Sequence, residues 1–378
     1  MPTNLADLTA QLVAIESINP DLVPTGSGEA RVAAFIAAWA QRHGLEAMIE
    51  EAAPGRPNVI VIARGTGGGR TLMLNGHIDT VGVAGMREPF TPRVEGGRLY
   101  GRGAFDMKAS VAACLITALR ARALRLRGDV IVTAVSDEEY ASIGTQAILR
   151  RWTADAAIIT EPSGLRACVA HKGFVWAELE TRGVAAHGSR PNLGVDAIAK
   201  MGGLLVGLEA QDAALRATPL HPRLGSGSLH ASLISGGQEL SSYPERCVVA
   251  VERRTVPGET GATVLAQLQG LIAERRRIDP GLQAEARITL ERQPFAVPDD
   301  AEIVRLVVQA ATGVLGAPPE LYGDTPWMDS ALLQQAGIPT VIFGPRGGGA
   351  HAVEEWIELD SVERCAEIYL AVASTLCA

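Results

Sequence analysis

The chain has only five cysteines in 378 residues: Cys114, Cys168, Cys247, Cys365 and Cys377. They are scattered, odd in number and never in a Cys-x-x-Cys spacing, which argues against a disulfide framework and a thiolate zinc site. Single thiols of this kind suit a reducing, cytoplasmic compartment. No stretch reaches the roughly 18 apolar residues expected of a membrane span. No basic block stands out, and the net charge is -8, so a nucleic-acid partner is not expected. The first twenty residues lack the basic n-region and apolar run of a signal peptide. There is no internal repeat and no low-complexity tract.

Hydrophobic residues make up 47% of the chain, enough for a sizeable core. At roughly 100–200 residues per domain, the length suggests two domains or three. Leu5, Leu8, Leu12 and Ile15 recur at helical spacing and predict an amphipathic first helix. Val59–Ala63, Thr71–Leu74, Val130–Val135 and Ala156–Thr160 are short apolar runs, with helical stretches at Lys108–Arg122 and Gly144–Trp152. That βαβ alternation predicts a mainly parallel sheet covered by helices. The texture changes after Gly173. Phe174–Arg182, Ser228–Ile234, Arg246–Arg254 and Ala286–Arg292 read as strands, with helices at Val195–Gln211 and Thr263–Arg276. This β-α-β-β-α-β order suits a small α+β module at about residues 174–293. Asp300–Gly313, Thr340–Phe343 and Ser361–Leu376 then return to α/β texture. The module thus reads as an insertion between two parts, 1–173 and 294–378, of one larger α/β domain.

Several acids and histidines fall just past predicted strands, where α/β sheets bind their ligands. His77 and Asp79 follow Thr71–Leu74, and their spacing of two puts both on one face of an extended segment. One can bind metal while the other orients it, although a turn carrying a surface histidine would look the same. A glycine-rich turn, Gly101-Arg102-Gly103, delivers Asp106 to the start of a helix, where an N-cap is the plainer reading. Asp137, Glu138 and Glu139 follow the buried run Val130–Val135. Three adjacent acids repel one another, and a cation would offset that; a solvated acidic loop is the alternative. Neighbouring side chains diverge, so Glu138 and Glu139 differ in role: one can bind metal while the other accepts a proton. Glu161 ends Ala156–Thr160, and His351 follows the glycine run Gly347-Gly348-Gly349; either could be an ordinary loop residue. Together, oxygen and imidazole donors without thiolates suit a hydrolytic zinc, cobalt or manganese site.

The segments GHIDTV, GRGAFDMK, SDEE, TEP and GGGAHAVEEWIELDSV, in that order, resemble a family of zinc metallopeptidases and deacylases. Its members include acetylornithine deacetylase, succinyl-diaminopimelate desuccinylase, aminoacylase and a glutamate-releasing carboxypeptidase. The resemblance runs from the SINP segment at residues 17–20 to the last helix. It implies a phosphorylase/hydrolase-like mixed-sheet catalytic domain with an inserted ferredoxin-like lid and dimerisation domain. It implies two divalent metals, zinc or else cobalt or manganese, with Asp106 bridging them. His77 and Glu161 would complete one metal, and Glu139 and His351 the other. Asp79 would orient His77, and Glu138 would be the general base. Gly183-Val184-Ala185-Ala186-His187-Gly188-Ser189 looks like the family's GxAAHxS segment, which implies that His187 stabilises the oxyanion from a partner subunit. Arg254 looks like the arginine that holds a substrate carboxylate. A surface lid histidine and a surface arginine are the plainer readings of these two. The chain departs from the family at Ser241-Ser242-Tyr243-Pro244, where an Asn precedes Ile-Pro, and at Glu252, usually Asp. Both departures bear on the substrate.

The resemblance implies hydrolysis of an N-acyl amino acid by a homodimer. A dipeptidase or carboxypeptidase with the same machinery is the nearest alternative. A non-catalytic binding protein would have lost a ligand or the base. A phosphoesterase would place glycines at a helix N-terminus, whereas Gly67-Gly68-Gly69 precedes a predicted strand.

Overall fold

The computed structural model describes residues 4–378, so the first three residues of the N-terminal reading lie outside the described residues. The chain divides into two compact units. One comprises residues up to Val169 with Val297–Tyr322 and Met328–Ala378; the other comprises Ala170–Ala296 with Gly323–Trp327.

The larger unit is built on a mixed sheet. Its order is Glu46–Ala53, Arg56–Ala63, Val130–Val135, Leu72–His77, Ala156–Ile159, Thr340–Phe343 and Ala167–His171. The middle four strands are parallel. They are wholly buried Val-, Ile- and Leu-rich runs, as strands covered on both faces must be. The expectation of a mainly parallel sheet needs correction at both sides. Arg56–Ala63 runs antiparallel to Val130–Val135, and Glu46–Ala53 antiparallel to Arg56–Ala63. The physical reason is the connection: Glu46–Ala53 and Arg56–Ala63 are joined by Pro54 and Gly55, with Gly55 at φ 76. So short a link can only form a hairpin, which is antiparallel. Thr340–Phe343 pairs antiparallel with Ala167–His171 on the other side.

Helices Ala30–Arg42, Ala109–Leu124 and Leu359–Leu376 bury Ile36, Leu115, Val362 and Tyr369 in this unit's core. Tyr369 donates its hydroxyl to the Phe343 carbonyl at 2.6 Å. A second, small antiparallel sheet joins distant segments: Gly347–Gly348 pairs with Trp356–Glu358, which pairs with Arg98–Tyr100, which pairs with Arg93–Glu95.

The other unit is a four-stranded antiparallel sheet ordered Ser228–Gly236, Arg246–Thr255, Gly173–Arg182 and Gln283–Arg292. Gly173–Arg182 buries alternate residues, including Val175, Ala177 and Leu179. These pack with Met201 and Leu204 of helix Ala197–Arg216 and Leu268 of helix Gly261–Ile278. Both helices carry the N-caps their sequences offer: Asp196 accepts from the Ala199 amide at 2.9 Å, and Thr260 from the Thr263 amide at 3.2 Å.

Candidate metal centre

The four parallel strands all point their carboxyl ends at one place, where α/β sheets hold their ligands. His77 is the last residue of its strand. Glu138 and Glu139 follow Val135, Glu161 follows the strand ending at Ile159, and His351 lies on the segment after Phe343. Donor atoms of His77, Glu138 and Glu161 lie within 4.8 Å of one another, as do those of His77, Asp106 and Glu139. His77 Nε2 is 3.0 Å from Asp106 Oδ1 and 3.6 Å from Glu161 Oε1. His351 Nε2 is 3.1 Å from Glu139 Oε2 and 3.4 Å from Asp106 Oδ2. Asp106 therefore turns one carboxylate oxygen to each imidazole.

The ring orientation of His77 follows from its neighbours. Nδ1 sits 3.0 Å from the Asp79 carbonyl oxygen and 3.5 Å from its carboxylate. A carbonyl only accepts, so Nδ1 carries the proton, and in the neutral ring the Nε2 lone pair faces Asp106 and Glu161. Asp79 is fully buried. Its carboxylate accepts from Asn19 Nδ2 at 2.8 Å, from the Glu138 amide at 3.1 Å and from the Glu139 amide at 3.3 Å. It thus holds both the ring and the turn that carries the two glutamates. Asn19 also donates to Asp137 Oδ1 at 3.0 Å, and Arg56 pairs with Asp137 at 2.9 Å and with Glu29 at 2.7 Å. The run of three acids is thereby divided. Asp137 faces away into this buried network, while Glu138 and Glu139 face the cluster. Asn19 and Arg56 carried no role in the sequence reading; the only signal was Asn19 inside the Ser-Ile-Asn-Pro segment.

Asp106 is not an N-cap. The helix begins only at Ala109, with Lys108 in the cap position, and Asp106, at φ -117° and ψ 93°, lies in the turn before it. The turn before it requires Gly103 at φ 80, where a Cβ would also meet the Thr80 side chain at 2.9 Å. His351 likewise takes a left-handed φ of 60, a conformation sparsely populated by residues with a Cβ and typical of functional sites. Two further buried groups surround the centre. Asp329 accepts from the Thr145 hydroxyl at 2.6 Å. Lys108 donates to the Ile15 carbonyl at 2.5 Å, and burial pushes its amine down to about 7.

Charge shows what the cluster needs. Burial, reinforced by the charge of Glu161, pushes the Glu138 carboxyl well above the usual range. Burial also lifts Glu161, helped by Asp106 and Glu139. Hydrogen bonds to Asp106 and Glu139 push the His351 imidazole up to about 10. Glu139 Oε1 is buried without a hydrogen-bond partner. Carboxylates that share a buried space, and that raise the pKa of the imidazoles among them, are what a divalent cation would satisfy. The residues fit such ions: the donors are the imidazoles of His77 and His351 and the carboxylates of Asp106, Glu139 and Glu161, with Glu138 beside them. The five cysteines are buried, and none belongs to the ligand groups among the described residues.

The two remaining candidates belong to the smaller unit. His187 is exposed, and its Nδ1 accepts from the Ser189 amide at 3.2 Å with the Ser189 hydroxyl 2.8 Å away. An Nδ1 that accepts leaves the ring proton on Nε2 as a free donor. The loop is pinned by Gly188, whose amide donates to the Ser241 carbonyl at 2.7 Å. Arg254 is half-buried on Arg246–Thr255, pairs with Glu252 at 2.5 Å and lies over the Phe174 ring at 5.4 Å. The glutamate that departs from the family pattern thus reaches the arginine it precedes by two.

A model of peptidase family M20/M25/M40 matches residues 73–375. The chain belongs to this family. It is accordingly a hydrolase acting on amide bonds. The acetylornithine deacetylase of Myxococcus xanthus is 29% identical over 391 residues, covering 100% of this chain and 98% of that protein. The N-formyl-4-amino-5-aminomethyl-2-methylpyrimidine deformylase of Halalkalibacterium halodurans is 27% identical over 376 residues, covering 89% and 87%. Among solved structures, the YxeP protein of Bacillus subtilis, described as a dinuclear metal-binding peptidase of the M20 family, superposes with a TM-score of 0.75. It is 18% identical, with 99% of this chain and 97% of that one covered. Among the described residues, no helix of this M20-family chain is long and apolar enough to cross a membrane.

Proposed function

We propose that this M20-family chain is a two-metal hydrolase that removes the acyl group from an N-acyl amino acid. The observation that carries the reading is the Asp106 carboxylate, with one oxygen toward His77 and the other toward His351. Two divalent ions, zinc or else cobalt or manganese, would be held here: His77 and Glu161 would serve one, Glu139 and His351 the other, and Asp106 would be shared by both. The ions supply Lewis acidity, which lowers the pKa of water and polarises a carbonyl oxygen. Glu138 takes a proton from the attacking water and delivers it to the leaving nitrogen, so the amide becomes a carboxylate and an amine. Asp79 keeps His77 in the tautomer that presents Nε2.

The finer parts of the reading rest on the family resemblance. The module at about residues 174–293, within the smaller unit, acts as a ferredoxin-like lid and as the interface of a homodimer. His187 Nε2 donates to the carbonyl oxygen as it gains charge, from the partner subunit. Arg254 holds the substrate carboxylate with its planar fork. Mutating His187 to Ala is expected to reduce turnover by roughly 10²–10³-fold, the usual cost of one oxyanion donor; an unchanged rate removes it from the mechanism.

The acyl-amino-acid reading is supported by the acetylornithine deacetylase relative, which aligns over almost its whole length. A peptidase with the same machinery is the second reading, favoured by the solved relative described as one. A panel of N-acetyl amino acids, N-succinyl amino acids and dipeptides separates them. The expected outcome is a higher kcat/KM on an acyl amino acid; a higher value on a dipeptide decides for the peptidase.

A further inference from the structure

Glu355 lies four residues beyond His351, fully buried at 1% exposure, and its carboxylate is surrounded by donors from the other ligand loop. One oxygen accepts from Arg102 Nη1 at 2.6 Å and from the Gly103 amide at 3.1 Å. The other accepts from the Phe105 amide at 2.8 Å and the Asp106 amide at 3.0 Å. Arg102 extends the connection, donating through its other nitrogen to the Ala352 carbonyl at 2.9 Å, next to His351. The Gly101 amide donates to the Glu355 carbonyl at 3.1 Å. Beneath them, the pairing of Trp356–Glu358 with Arg98–Tyr100 fixes the register of the two segments.

The loop of Asp106 is non-helical at that residue, so its amides need acceptors from outside the loop, and a buried amide without one is destabilising. Glu355 supplies the acceptor to three of them at once. Its backbone belongs to the segment that bears His351, so the same carboxylate fixes the distance between the two residues. Gly349, at φ 80, gives that segment its turn, and a Cβ there would stand 1.9 Å from the Glu354 carbonyl oxygen.

We propose that Glu355 is a positioning residue: it presets Asp106 and His351 so that the half of the centre they share with Glu139 is formed before its cation arrives. The proposal rests on the two-metal reading above. Glutamine at 355 has the same shape but only one accepting oxygen. Whichever way the amide turns, its NH2 group faces two donors that had an acceptor. The Asp106 loop and the His351 segment then separate, while His77 and Glu161, held by other strands, keep their places.

The test is equilibrium dialysis of metal-free wild type and Glu355→Gln against cobalt(II), with bound metal counted and both proteins melted without metal. The expected result is two ions on the wild type. The variant is expected to bind both ions more weakly, because Asp106 serves both: the ion of Glu139 and His351 with a Kd raised about 10–100-fold, the usual size of an outer-shell defect, and the ion still held by His77 and Glu161 with a smaller rise. A residue that served only stability would lower the melting temperature and leave both Kd values alone; that result overturns the proposal. Wild-type protein that binds fewer than two ions overturns the two-metal reading, and this proposal with it. If Glu355→Gln does not fold, Arg102→Lys carries the test. Lysine keeps the charge but cannot serve Glu355 and the Ala352 carbonyl together. Weakened metal binding in that variant supports the proposal, and unchanged binding overturns it.

Discussion

Replacing Glu138 with glutamine is expected to lower kcat by about 10²–10⁴-fold, the usual contribution of a positioned general base. Metal content and KM should stay close to wild type. Glutamine fills the same volume and keeps the backbone amide that donates to Asp79, so the turn and the neighbouring Glu139 should hold. What disappears is the carboxylate proposed to take a proton from water and pass it on. Burial and the nearby charge of Glu161 push the Glu138 carboxyl well above the usual range, and a base serves best when its pKa approaches the working pH. The measurement is steady-state kinetics with metal analysis of the same preparation. Wild-type turnover with full metal content would sink the mechanism.

Removing the metal is expected to abolish activity, with recovery on adding zinc, cobalt or manganese. Stability should change in a pH-dependent way. In the metal-free fold, Glu138, Glu161, His77 and His351 all have raised pKa values. A group whose folded pKa is raised stabilises the fold below its unfolded pKa and loses that contribution as pH rises through the folded value. The melting temperature of the metal-free protein should therefore fall as pH rises from about 6.5 to about 10, the window between the ordinary histidine value and that of His351, with the lifted carboxyls adding to the loss. The loaded protein should melt higher and with less pH dependence. Metal binding displaces those protons, and an ion at a hundredfold excess over its Kd adds about 2.7 kcal/mol. A metal-free protein that melts like the loaded one at alkaline pH would falsify the view that the cluster is held together by cations.

How much of this was legible in the sequence depended on distance along the chain. His77, Glu138, Glu139 and Glu161 were visible because each stands just past a short apolar run, and such runs end where a sheet binds its ligands. The direction of pairing was not visible. Arg56–Ala63 is buried along its whole length and reads the same whether its neighbour is parallel or antiparallel. Glu46–Ala53 went unread because its residues, EAMIEEAA, favour helix, and its place beside Arg56–Ala63 overrides that preference. Asn19 and Glu355 were hidden for a different reason. Their chemistry exists only through partners 60 and 249 residues away, and neither residue type signals that at its own position. The Asp106 N-cap reading was reasonable for an acid before a helix; the non-helical turn after Gly103 displaced it.

The small sheet that joins Arg98–Tyr100 to Trp356–Glu358 also sets a schedule. The first ligand loop leaves the ribosome long before the segment that fixes it has been made. Contacts spanning some 250 residues close late, since non-local pairing must first meet its loop-closure cost. Until residues 347–358 dock, Asp106 has no Glu355 to arrange it and no His351 across from it. The nascent chain therefore carries an incomplete centre until the segment that bears His351 and Glu355 has been made and has docked.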